Sequence, residues 1–395
     1  MRARVERCEA HALPYHLDTA FLSPRRELRG WGRAASIEVP APWPKHLDVV
    51  GAVLGRIDLD DDIGTEAGSG PVAFGALPFD REAPAQFIVP AISAALSPDG
   101  AHWRTTIDGT TCRDHAVAPL ARSLRVETEL SADAWLEKVR SATTRIARGD
   151  LVKVVLARRL MATSDERFDP PRLAEGLFRL HPHSLRFCIE GMIGASPELL
   201  VSRIGDVVRA HPMAGTIGRS GDPATDARSA AELLASAKNR EEHQITIDSV
   251  HDTLLRWCSY LDAEPEPSVA SAGSVAHLAT MVEGRLSHPV PSVLELVAAL
   301  HPTPAVGGWP KAEALDLIRE LEPSSRGRYA GPVGWVDRHG NGSFAVGIRS
   351  IELSEDHKVA TLHAGVGVVA DSDPSAELEE TRAKLRATLP VILDL

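Results

Sequence analysis

The chain has 395 residues, with 43 Lys and Arg against 54 Asp and Glu and a formal net charge of -11. An apolar fraction of 44% and a charged fraction of 25% is the balance of a soluble globular protein with a substantial core. The acidic excess argues against a nucleic-acid surface, and no window approaches the roughly 18 uncharged apolar residues of a membrane span. Met1–Arg7 runs into Cys8 without an apolar stretch, so no secretory signal is read. Cys8, Cys112, Cys188 and Cys258 are widely spaced and hold no C-x-x-C pair, which speaks against a zinc site or a disulfide framework. The expectation is a cytoplasmic, monomeric enzyme.

In chain order, residues 1–125 are rich in Pro and Gly with short apolar runs at Val49–Leu54 and Val72–Leu77, and Asp58–Gly70 reads as an exposed acidic loop. Ser131 opens an amphipathic helix whose apolar positions are Trp135, Val139, Ala142 and Ile146, with Gly149 as its stop. Leu151–Leu160 reads as a buried strand. Leu199–Ile204 and Asp206–Ala210 read as a hairpin about Gly205, and Ala230–Leu261 as one long helix with the stripe Ile247, Val250, Leu254, Trp257 and Leu261. Gly334–Asp337 and Ser343–Leu353 are a strand pair about Gly340–Gly342, Val359–Ala370 is a late strand, and Asp373-Pro374 caps a last helix. Strands and helices alternate irregularly and without a Gly-rich phosphate loop, which predicts an α+β fold with largely antiparallel sheets.

Only 7 of the 43 basic residues are Lys, and Lys, unlike Arg, can give up its proton when desolvated. Lys153 lies mid-strand among branched apolar residues. It is either an edge lysine facing solvent or a desolvated amine able to act as a base. Glu198, between Ser196-Pro197 and an apolar strand, is either a capping carboxylate or a half-buried proton donor. Glu377, Glu380 and Lys384 share a helix face and form either a routine exposed pair or two carboxylates for a hard dication beside an anion-binding lysine. Glu241-Glu242-His243 offers a further carboxylate, with His243 in a supporting role. The loops His211–Thr216, His301–Ala305 and Ala364–Gly367 are suited to close backbone approach to a ligand. Arg349 can fork onto a carboxylate or point outward, and His277 can be a satisfied core imidazole. These residues alone suggest a Mg²⁺-dependent acid–base enzyme acting on a small polyanion.

Taken together, Gly75–Asp80, Lys153–Arg158, Gly194–Leu200, Pro212–Thr216, Lys238–His243, His277–Thr280, Leu300–Ala305, Glu320–Pro323, Gly331–Asp337, Ala364–Gly367 and Ser372–Lys384 resemble the chorismate-utilising enzymes, and among them the isochorismate synthases. The resemblance runs from about residue 72 to 389. It implies a single large aminodeoxychorismate-synthase-like fold of two facing antiparallel sheets surrounded by helices, with 1–125 as the N-terminal part and 126–390 as the chorismate-binding region. It further implies Lys153 as the base that activates water and Glu198 as the acid that protonates the leaving C4 hydroxyl. Glu242 and Glu380 become Mg²⁺ ligands with Glu377 close by. Arg349, Lys384 and the backbone at Gly215, Gly365 and Gly367 become carboxylate contacts, and Ala214, Thr216, His277 and Tyr329 line the pocket.

Relatives that add ammonia lack a lysine at the position of Lys153, and the aminodeoxychorismate branch carries a nucleophilic lysine where this chain has Ala214. Water is therefore the expected nucleophile, which leaves isochorismate synthase or salicylate synthase, a lyase that goes on to eliminate pyruvate. Ile348–Ser350 and Gly331–Trp335 are similar to the former. The product's destination, whether siderophore, menaquinone or another aryl compound, is not written in the residues. Two positions depart from the family pattern: Asn239 where Asp is common, and His363 where an aromatic or apolar residue is common.

Overall fold

A computed structural model describes residues 1–8, 17–61, 66–96, 102–110, 119 and 123–393. Two large sheets carry the fold. The thirteen-stranded sheet runs in the order Leu124–Thr128, Lys153–Ser164, Val359–Val368, Ser350–Leu353, Met192–Ser196, Leu185–Ile189, Thr19–Ser23, Arg26–Trp31, Ile92–Leu96, His102–Ile107, Arg2–Arg7 and Asp58–Asp61. The short Gly308–Trp309 strand adds beside Lys153–Ser164. The nine-stranded sheet runs Cys258–Ala263, Val282–Leu286, Val207–His211, Leu199–Ile204, Gly342–Val346, Pro332–Asp337, Val72–Ala76, Ala85–Val89 and Ala35–Val39. Among the described residues the pairing of Arg2–Arg7 with Asp58–Asp61 is parallel, and the other strand pairs are antiparallel.

The sheets face one another. Phe21, Leu28 and Phe187 of the larger sheet pack in one cluster with Phe74, Trp335 and Ala345 of the smaller, the interleaved apolar layer expected of stacked sheets. Helix Pro170–Leu180 and the C-terminal helices cover the outer side of the larger sheet through Leu173, Leu177, Leu385 and Ile392 against Ile193, Ile351 and Leu362. Beyond the two expected sheets there is a third, formed by Met213–Gly218, Val275–Ala279 and Ser268–Ala272.

Several elements fall where the sequence places them. The Ala132–Ala147 helix buries Trp135, Val139, Ala142 and Ile146, and Ser131 caps it by accepting from the Ala134 N–H. Asp373 caps the Pro374–Leu385 helix in the same way through Ala376.

Others differ. The expected 230–261 helix is two helices, Pro223–Ala235 and Ala237–Leu255, because Ser236 adopts an extended backbone and uses its hydroxyl to cap the second. That helix ends at Leu255, so Trp257 and Leu261 leave the stripe, Leu261 for an edge strand. The expected strand Ser343–Leu353 is also broken: Gly342–Val346 belongs to the nine-stranded sheet and Ser350–Leu353 to the thirteen-stranded one. Nor is Asp58–Gly70 wholly an exposed loop. Asp58–Asp61 is a strand and Ala67–Gly70 is buried, with the Gly68 N–H donating to the Asp337 carboxylate at 3.1 Å; residues 62–65 lie outside the described residues, as does Cys112. No helix among the described residues is long and apolar enough to cross a membrane.

Two glycines separate the effects of backbone freedom and space. A Cβ at Gly334 would stand 2.0 Å from the Ser343 carbonyl oxygen, whereas one at Gly51, inside the Asp48–Gly55 helix, would meet nothing within 4 Å. Gly334→Ala is expected to destabilise by about 1–3 kcal/mol and Gly51→Ala to stabilise by about 0.5–1 kcal/mol, as read from urea denaturation midpoints.

Candidate active site

The Lys153–Ser164 strand lies against Val359–Val368 with Val155 opposite Gly367 and Ala157 opposite Gly365. Lys153 faces inward and is 1% exposed, so the solvent-facing reading of this lysine is set aside; its neighbour Val152, 48% exposed, takes the outward position. The Lys153 Nζ stands 2.8 Å from Oε1 of Glu242, which projects from the Ala237–Leu255 helix. Glycine at 367 is required by proximity: a Cβ there would stand 2.9 Å from both the Glu242 Oε1 and the Lys153 Cε. At Gly365 a Cβ would meet the Tyr329 hydroxyl at 3.0 Å.

The remaining groups come from places where the chain passes between sheets. Ser196-Pro197-Glu198 links Met192–Ser196 of the larger sheet to Leu199–Ile204 of the smaller, and Gly347–Arg349 makes the return crossing. The two crossings are bonded together, with the Val346 N–H donating to the Glu198 carbonyl at 3.1 Å and the Ala195 N–H to the Arg349 carbonyl at 3.1 Å. A third link leads from His211 into Met213–Gly218, where Gly215 forms a bulge at φ 70°. Glu198, Arg349, Ala214, Gly215, Thr216, His277, Tyr329, Gly365, Gly367, Lys384 and Glu242 all border one cleft.

Electrostatics give these side chains distinct characters. Burial pushes the Glu198 carboxyl up to about 8, against the opposing pull of Lys153, the Met213 N–H and Lys384, so the group is protonated at neutral pH. Arg349 has left-handed backbone, φ 52°, and donates through Nη2 to the His277 Nε2 at 3.1 Å. With Nε2 accepting, the ring proton is assigned to Nδ1, which reaches the Gly215 carbonyl at 3.1 Å. Burial, with Arg349 and Lys384 nearby, holds His277 well below its ordinary value and therefore neutral. The buried Nε of Arg349 has no partner, which leaves a donor available at the cleft.

The acidic residues divide into two groups. Burial tends to raise the Glu242 carboxyl, but Lys153, Lys384 and the Gly215 N–H outweigh it and hold the group below the usual carboxylate range. On the Pro374–Leu385 helix, Glu380 pairs with Lys384 at 2.6 Å, and Lys384 also donates to the Gly365 carbonyl at 2.8 Å. Glu377 is pushed up to about 7 by burial and then by Glu380. Neighbouring carboxylates of this kind form an all-oxygen donor set that fits a hard dication. Among the described residues no three acidic, His or Cys side chains converge closely enough to cage an ion, and Glu242 and Glu380 are each paired with a lysine. His243 points away, its Nε2 on the Thr280 hydroxyl at 2.8 Å.

One part of the site escaped the sequence reading. Arg326, 3% exposed in its side chain, borders the cleft and grips Glu322 through two nitrogens at 2.9 and 2.5 Å. Glu322 lies in the Glu320–Pro323 segment of the resemblance, and Arg326 carried no signal beyond its four-residue spacing from it. Of the two departures, Asn239 donates to the Ser236 hydroxyl at 2.9 Å and packs against Gly215, while the His363 ring stacks on Tyr329 at 4.8 Å.

Comparison with known proteins bears on the family and the fold. The family described as Chorismate binding enzyme matches residues 100–393. Bacillus subtilis isochorismate synthase DhbC is 37% identical over 334 residues, covering 81% of this chain and 80% of that one. The vibriobactin-specific isochorismate synthase of Vibrio cholerae is 32% identical over 93% of this chain and 90% of its own. The structure of the menaquinone-specific isochorismate synthase MenF from Escherichia coli superposes with a TM-score of 0.82, covering 99% of this chain and 94% of that one at 22% identity, a likeness of fold. A cleft assembled at sheet crossings, a matched family pattern over most of the length and relatives of this similarity lead to one conclusion: the chain belongs to the chorismate-binding enzyme family.

Proposed function

We propose that the protein is an isochorismate synthase, interconverting chorismate and isochorismate by adding water at C2 and releasing the C4 hydroxyl. The observation that carries the reading is a buried, protonated glutamic acid bordering the cleft, Glu198, and a buried lysine, Lys153, paired at 2.8 Å with the cleft-lining Glu242. Lys153, in its unprotonated form, takes a proton from the incoming water, and Glu198 gives one to the departing hydroxyl. One C–O bond replaces another, so the two isomers lie close in energy and no redox cofactor enters. Arg349, with its free Nε, and Lys384 supply positive charge for the substrate's carboxylates, and neutral His277 fixes Arg349 without adding a competing charge. Ala214, half of the usual signature for water rather than an amine as nucleophile, presents only a methyl group to the cleft.

We further propose that Glu242 and Glu380, with Glu377, hold Mg²⁺. When bound, the ion would neutralise these carboxylates and anchor a substrate carboxylate. Glu377, pushed up by burial and then by the neighbouring Glu380, would be relieved by a cation there, and this supports the assignment. Calorimetric titration of Mg²⁺ into the protein without substrate is expected to show binding that Glu380→Gln weakens about tenfold or more, and chelation is expected to abolish turnover. Unchanged binding in Glu380→Gln would remove that residue as a ligand.

Chromatographic separation of the products from chorismate tests the activity itself, and isochorismate is the expected product. Salicylate fluorescence from chorismate alone would instead establish the lyase. Lys153→Gln is expected to lower kcat at least about 100-fold, and Glu198→Gln about 100- to 10,000-fold. Lys153→Ala is the poorer choice because it also leaves a cavity and no side-chain donor toward Glu242, whereas glutamine fills the space and keeps an N–H.

The pH profile follows from the sign of the Glu198 shift. The donor form exists below its raised value and is lost as pH rises through it, so kcat/KM should fall above about pH 8. Glu198→Gln should lack this alkaline limb. A wild-type profile that stays flat far above that pH would exclude Glu198 as the proton donor.

A further inference from the structure

The strand that carries Lys153 has an incomplete edge next to the reactive lysine. Gly308 pairs with Val154, and Val155 donates to the Gly307 carbonyl at 3.0 Å; the neighbouring strand resumes where the Glu129 N–H donates to the Arg159 carbonyl at 3.1 Å and Thr128 pairs with Leu160. Between these points, side chains stand in for a strand. The Ala157 N–H donates to Oε1 of Glu322 at 2.9 Å, and Nη2 of Arg326 donates to the Val155 carbonyl at 2.6 Å. Arg326 also donates through Nη1 to the Val306 carbonyl at 2.8 Å, and its guanidinium lies 4.3 Å from the centre of the Phe79 ring. Lys153, Val155 and Ala157 alternate along one face of the strand, so a shift at the last two carries the first with it.

From this geometry we infer that the Glu322–Arg326 pair is a positioning device. It closes the gap in the ladder, ties the strand to the Ala305–Val306 wall of the cleft, and thereby fixes the Lys153 amine relative to Glu198. Arg326 acts as a positioning rather than a catalytic residue here, because four of its five N–H donors are taken by Glu322, Val155 and Val306. The planar fork is what the arrangement needs: a lysine ammonium cannot meet a carboxylate and two divergent carbonyls in one plane. The inference rests on the activity proposed above.

The test compares wild type, Arg326→Lys, Glu322→Gln and the remote Gly334→Ala, which lowers stability without touching this edge. Turnover of chorismate and amide hydrogen exchange of the 153–158 segment are both read at a temperature where every variant is folded. The expected result for Arg326→Lys is a fall in kcat of about 10- to 100-fold, KM within about threefold of wild type, and faster exchange in that segment. Gly334→Ala should keep wild-type kcat. A folded Arg326→Lys variant with wild-type kcat, or a loss confined to KM, would overturn the inference. If Arg326→Lys does not fold, Glu322→Gln, which leaves Arg326 buried without a carboxylate, carries the same expectation and the same overturning result. Wild type that makes no isochorismate would refute the proposed activity, and the exchange rates alone would then decide the positioning role.

Discussion

The organisation of the cleft depends on keeping the Lys153 amine out of water. A lysine 1% exposed is tolerated because the Glu242 carboxylate stands 2.8 Å away and because the strand beside it is thinned to glycine at 365 and 367. Burying two charges is costly even when they are paired, and an apolar pair of similar volume often serves stability as well or better. The pair is therefore better explained by chemistry than by stability. The lysine lies against the cleft-lining Glu242, and the buried Glu198 carboxyl borders the same cleft.

A second constraint is topological. Strands that stay within one sheet present side chains to its faces, whereas a chain passing between sheets turns its backbone and side chains into the space between layers. Glu198 and Arg349 occupy two such passages, and the bonds between Glu198 and Val346 and between Arg349 and Ala195 lock the passages together. The left-handed backbone of Arg349 is the local strain this geometry imposes, at a residue whose guanidinium meets His277 and keeps a free Nε.

Burial sets protonation across the cleft in a consistent direction. It makes Glu198 an acid, keeps His277 neutral, and leaves Glu242 ionised only because lysines oppose it. The two departures from the family pattern fit around this without adding charge. Asn239 fills the space behind the Gly215 bulge with an amide, and His363, pushed down to about 3 first by burial and then by Arg326 and Arg159, is a neutral ring stacked on Tyr329.

The local elements were readable because short-range physics determines them. The apolar spacing of Trp135, Val139, Ala142 and Ile146, the caps at Ser131 and Asp373 and the turn at Gly205 each act within a few residues. The candidate site residues were readable as a set through resemblance, since their residue types and order persist along the chain. What the sequence could not determine depends on partners far away. Helix-forming residues run through Ser236 without a break in pattern, and only packing decides that its hydroxyl caps a new helix. Nothing local tells Val346 and Ser350 that they belong to different sheets, or tells Lys153 whether it faces solvent or Glu242, 89 positions away. Glu322 and Arg326 look like an ordinary i,i+4 pair until the open edge at Val155 and Ala157 is brought against them. Residue type and spacing thus determined which groups are available, and tertiary structure alone decided their burial, because desolvation and proton affinity depend on every element that closes around a side chain.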